Sequence, residues 1–140
     1  MLKLFLVIIC IFLCWSCNTT NNKPLVIKFS ADSSAILVSN IDAAALLHLK
    51  NNIKTDSSYQ KLVSVLETSA EDDSTSMERD WPGKLVMKED DVIFQPDSPF
   101  LEGKTYLVQT QLNMSFGDIE QMIKGNVRAK MNFQQQVLKR

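Results

Sequence analysis

The chain has 140 residues, with 15 Lys and Arg against 16 Asp and Glu and a formal net charge of −1. That is one domain's length, able to bury a core without staples, and its charge balance carries no electrostatic footprint for nucleic acid. Four Gly and four Pro argue against low complexity, and no internal repeat is present.

Lys3 supplies the only charge before an unbroken apolar run from Leu4 to Leu13. About ten apolar residues suit a signal-peptide core, whereas a spanning helix needs about twenty. Cys14, Trp15, Ser16 and Cys17 follow. A basic start, an apolar core and a small residue before a cysteine together resemble the bacterial lipoprotein signal. The resemblance implies cleavage after Ser16 and lipid on the sulfur of Cys17. Cys14 and Trp15 depart from the family's usual aliphatic and small residues at their positions. The alternative is a signal anchor that stays uncut.

On the lipoprotein reading, residues 1–16 are the signal peptide, and residues 17–23 are the lipidated Cys17 with a polar tether. Residues 24–140 form the domain. Cys10 and Cys14 leave with the signal, so no thiol remains for a disulfide, a metal site or a nucleophile. Each buried acyl methylene contributes about 0.8 kcal/mol, so several palmitate-like chains on Cys17 make a durable membrane anchor. The tether, Asn18 to Lys23, carries no acidic cluster. In some lipoproteins of the kind this signal resembles, such a cluster marks surface export, so the resemblance implies a periplasm-facing position on the outer membrane.

After Pro24, the aliphatic runs Leu25 to Phe29 and Ala35 to Ser39 predict two strands split by a Ser-rich turn. Asn40 and Asp42 are candidate caps of a short helix ending near Lys50. Asn51 to Ser58 reads as polar loop. Ser58 to Ser69 leans to strand through Val63 and Val65. Glu71 to Asp80 reads as an acidic, Ser-rich loop. Lys84 to Pro96 predicts a hairpin turning at Glu89 and Asp90. Tyr106, Val108 and Thr110 then alternate with Leu107, Gln109 and Gln111. Ile119, Met122 and Ile123 have helical spacing within Met114 to Gly125. Val127, Ala129, Met131 and Phe133 alternate with polar neighbours. Six to eight half-buried strands with one or two short helices point to a mainly β, two-sheet sandwich.

Val92 to Val108 reads VIFQPDSPFLEGKTYLV. It resembles bacterial Ig-like domains, in which a strand ending in Phe-x-Pro leads to Pro-Phe and then Gly-x-x-Tyr. The matching residues are Phe94, Pro96, Pro99, Phe100, Leu101, Gly103 and Tyr106. The resemblance implies an Ig-like antiparallel β-sandwich. Pro96 and Pro99 would stiffen the crossing between sheets. Gly103 would make a turn that other residues resist. Phe100 or Leu101 would plug the core. Tyr106 would turn its hydroxyl back to the crossing backbone, the tyrosine-corner arrangement.

Chemistry is sparse. His48, the one histidine, lies among leucines and reads as a helix-edge residue. No phosphate loop and no nucleophile elbow is present. Glu71, Asp72, Asp73, Glu78, Asp80, Glu89, Asp90 and Asp91 could hold calcium if they converged, but they lack the order of a calcium loop. Solvated charge is the simpler reading. Trp81 reads as a core or loop anchor. The expectation is a non-catalytic protein with no cofactor and no metal, held to the membrane through Cys17 and binding another envelope protein. The competing readings are a small-ligand carrier, a calcium-dependent recognition module and a membrane-held enzyme inhibitor.

Overall fold

The computed structural model describes residues 24–69, 78–112 and 134–140. The expected signal and tether, the acidic stretch from residue 71 to 77, the helix from Met114 to Gly125 and the alternation from Val127 to Phe133 lie outside the described residues. The rest is mainly β, a sandwich of two four-stranded sheets. The strands are β1 (Val26–Phe29), β2 (Ile36–Ser39), β3 (Val63–Thr68), β4 (Arg79–Asp80), β5 (Gly83–Lys88), β6 (Asp91–Pro96), β7 (Thr105–Thr110) and β8 (Gln134–Lys139). One sheet runs β1-β2-β6-β5 and the other β4-β3-β7-β8, with every pairing antiparallel.

Alternation builds the core. Ile27, Ile36, Val38, Leu85, Val92 and Phe94 are buried from the first sheet, and Val63, Val65, Tyr106, Val108 and Thr110 from the second. The period of two puts these residues on the facing surfaces. The lone polar member, Thr110, is satisfied locally: its Oγ1 accepts the Leu112 N–H at 3.2 Å.

Helix α1 (Ala43–Asn52) begins at Asp42, whose carboxylate accepts the N–H groups of Ala44 and Ala45. It extends two residues past the expected end, and Ala45 and Leu49 are its buried residues, with Leu49 part of the core. The stretch expected to be a strand from Ser58 divides. Ser57–Leu62 is a 3₁₀ helix capped by Asp56, which accepts the Ser58 N–H at 2.8 Å, and only then does β3 begin. The local cap and the burial of Tyr59 and Leu62 outweigh the weak strand preference of the first half.

The β5–β6 hairpin turns at Glu89 and Asp90, as its pattern predicts. Glu89 takes a left-handed φ of 56° there. Two sheet edges meet beside β1 and β8, where the Gln134 side-chain amide donates to the Leu25 carbonyl at 3.1 Å. Asp32, in the β1–β2 turn, accepts the hydroxyls of Ser30 and Ser34 at 2.6 and 2.8 Å and the Ser34 N–H at 3.1 Å. Those donors, Ser30 first, hold its carboxyl down from 3.8 to about 2.

Candidate interaction surface

The segment from Pro96 to Lys104 carries the chain from the end of β6 in one sheet to β7 in the other. Tyr106 is fully buried at the start of β7, and its hydroxyl accepts the Leu101 N–H at 2.8 Å. Phe100 fills the core beneath the crossing, with its ring 4.8 Å from that of Tyr106. Leu101 is 47% exposed and takes no such part. Trp81 stacks on Phe100 and donates its indole N–H to the Ser98 carbonyl at 3.1 Å. Phe94 is buried and its ring lies 6.5 Å from Phe100, while the Asp97 N–H beyond Pro96 donates to the Pro82 carbonyl at 2.9 Å. Gly103 has φ 74°, and its N–H donates to the Arg140 carbonyl at 2.9 Å. Pro99 immediately precedes Phe100 in the crossing, and the turn follows at Glu102 and Gly103. These contacts make a well-packed corner, which is structural in kind.

The described acidic residues do not come together with the corner. Asp80 ends the two-residue β4, and Glu89 and Asp90 form the opposite hairpin turn. Asp90 pairs with Lys50 of α1 at 2.9 Å. Among the described residues, no three His, Cys, Asp or Glu side chains are grouped to hold a metal. Glu67, which sequence reading passed over, is a different kind of acid. It points inward at the end of β3, only 14% exposed, and pairs with Lys104 at 3.1 Å and Arg79 at 3.7 Å. Arg79 in turn lies 5.2 Å over the Trp81 ring. This cluster ties β3, β4 and the crossing together at the corner.

His48 is half-buried on α1, and its Nδ1 lies 3.2 Å from the Tyr59 hydroxyl. That contact docks the 3₁₀ helix against α1. The consequence is felt one residue later. Gln60 projects across to β5, where its Oε1 accepts the Leu85 N–H at 2.6 Å and its Nε2 donates to the Leu85 carbonyl at 3.3 Å. One side-chain amide therefore makes the pair of bonds that a neighbouring strand would make.

Two clefts open on either side of Gln60. One, about 590 Å³, lies between α1 and the outer edge of β5 and is lined by Lys50, Ile53, Lys54, Leu85, Val86 and Met87. The other, about 310 Å³, runs between β3 and the start of β5, beside Trp81, Pro82 and Gly83. The larger cleft has the size of a small-molecule or peptide site. It has an apolar floor, a lysine rim and an exposed strand edge. No motif could have announced it, because α1 and β5 meet only in the fold.

Comparison with known proteins adds no relative: no family model matches the chain, and no curated protein or solved structure is significantly similar to it. No helix among the described residues is long and apolar enough to cross a membrane.

Proposed function

We propose that the chain is a non-catalytic, lipid-anchored envelope protein whose Ig-like domain serves protein–protein interaction or envelope assembly. Residues 1–16 leave as a signal peptide, Cys17 carries the lipid, and residues 18–23 tether the domain to the periplasm-facing leaflet of the outer membrane. The N-terminal pattern described above supports the anchor.

The strand order supports the Ig-like part. Lettered in chain order as A, B, C, C′, D, E, F and G, the sheets read A-B-E-D and C′-C-F-G, the arrangement of an Ig-type sandwich. The single observation that carries this reading furthest is Tyr106, near the start of the sixth of those letters' strands after C′ is counted apart. It sits at the E–F crossing with its hydroxyl on the Leu101 backbone, where such sandwiches keep their corner tyrosine. Ig-like folds act as spacers, adhesion modules and binding surfaces, so the fold points to interaction rather than to one activity.

The test is co-purification of the full-length protein from detergent-solubilised envelope. A specific envelope protein retained in stoichiometric amount supports assembly. A pure chain that retains only a small-molecule mass supports a ligand carrier instead. Retention that depends on calcium supports the calcium-dependent module.

A further inference from the structure

We propose that the cleft between α1 and β5 binds an extended, acidic segment of a partner protein, which adds to the outer edge of β5 at Met87. The inference deepens the reading of the domain as a binding module and rests on it.

Among the described residues, no strand pairs with the outer edge of β5. β5 pairs with β6 through Lys84↔Gln95, Leu85↔Phe94, Val86↔Ile93, Met87↔Val92 and Lys88↔Asp91. In an antiparallel ladder, alternate residues turn both backbone groups to one neighbour. Leu85 turns its pair outward, as its two bonds to Gln60 establish. Met87, two residues on, therefore turns its own N–H and C=O outward as well. No protein group among the described residues meets them, and they face the cleft that Lys50, Ile53 and Lys54 line from the other side.

Charge selects the occupant. Lys54 on the cleft rim and Lys84 and Lys88 on the outer face of β5 are exposed, and none has an ion-pair partner among the described residues, whereas Lys50 is held by Asp90; Asp91 is the cross-strand neighbour of Lys88, which leaves Lys54 and Lys84 as the stronger attractors. An incoming strand with alternating carboxylates would place its acids on the face that carries Lys84 and Lys88 and its apolar residues on the opposite face, against Ile53 and the partly buried Met87. Main-chain bonds supply attachment and alternate side chains supply selection in this mode of recognition. A second copy of β5 would bring lysine against lysine, which protects edges from self-pairing. Gln60 sets the limit of the site, because it already occupies the slot at Leu85.

The experiment uses the isotope-labelled full-length protein in detergent micelles and a short capped peptide of alternating glutamate and valine. The expected result is a saturable titration with a dissociation constant at or below about 1 mM. Shifts should centre on the amides of Met87, Ile53 and Lys54, and the Met87 amide should exchange more slowly. Lys54→Glu, a surface change that leaves the core alone, should weaken binding by up to about tenfold, because it replaces an exposed attraction with a repulsion at the same position. A peptide alternating glutamate and proline, which lacks the amide donors on alternate residues, should bind no better than a lysine–valine control.

No saturation, or equal binding of the proline peptide, would overturn the proposal. So would dodecanoate saturating the cleft where the peptide fails, which would make the site one for an anionic amphiphile. Concentration-dependent self-association through β5 would equally overturn it in favour of a second copy. The titration involves neither Cys17 nor a co-purified protein, so its failure leaves the envelope experiment to stand or fall alone.

Discussion

The hydroxyl of Tyr106 accepts the Leu101 N–H at 2.8 Å while its ring is wholly enclosed by Phe29, Phe100 and Trp81. One side chain thus serves two layers of the structure: the ring packs between sheets, and the oxygen fixes the segment that joins them. Tyr106→Phe keeps the ring and leaves the Leu101 N–H without its acceptor. That bond is only part-buried, so its loss should cost about 0.5–1.5 kcal/mol, and the melting temperature should fall slightly with no change of fold. Tyr106→Ala removes the ring as well and should cost about 3–5 kcal/mol by cavity formation. Chemical denaturation of the two variants measures both, and parental stability in each would place the ring outside the core.

Two glycines near the same corner should respond for different reasons. A Cβ on Gly83 would run into the Gln95 carbonyl oxygen and the Phe94 ring. Neither the paired backbone nor the packed ring can move freely, so Gly83→Ala should lose about 1–3 kcal/mol through overpacking. At Gly103 a Cβ would meet nothing within 4 Å, but φ is +74°. Gly103→Ala should therefore cost only the left-handed backbone penalty, about 1–2 kcal/mol. Replacing Gly103 with Asn, which tolerates this conformation, should recover part of that loss, whereas no side chain relieves Gly83.

Asp32 makes a pH-dependent contribution whose sign is fixed by its depressed pKa. The Ser30 hydroxyl and the Ser34 donors favour the carboxylate, which titrates near 2 in the folded chain instead of 3.8. Its contribution is complete above the unfolded value and disappears as pH falls through about 2. A carbon-detected titration should give Asp32 a midpoint near 2, well below that of an ordinary aspartate. In Ser30→Ala the midpoint should move back upward. A normal midpoint in the parent would mean that the turn does not hold these bonds in solution.

The parts legible in the sequence are those decided within a few residues. The β5–β6 hairpin follows from two apolar runs around Glu89 and Asp90, and the helix start at Ala43 follows from Asp42. Tyr106 is marked by the resemblance of Val92 to Val108 to an Ig-like crossing, whose residues the bond to Leu101 then explains. The 3₁₀ helix was not identifiable, since its position depends on Asp56 capping Ser58 and on Tyr59 reaching His48. β8 is legible only in part: the alternating stretch continues through Leu138, but Gln134, Gln135 and Gln136 lack apolar alternation, and pairing with β7 makes them a strand. The cleft belongs to this long-range class. Gln60 and Leu85 are 25 residues apart, and nothing local in either segment marks them as partners.

The most direct measurement of the central claim follows Cys17. The parent and Cys17→Ser are expressed with their N-terminal segment intact, and their mass and membrane partition are compared. The lipoprotein reading expects a parent that begins at Cys17, carries acyl chains and remains in the detergent-soluble membrane fraction. It expects Cys17→Ser to lose the acyl mass and to lose cleavage after Ser16. A parent of unmodified mass that keeps Met1 to Ser16, with Cys17→Ser partitioning identically, would contradict it and establish the uncut anchor.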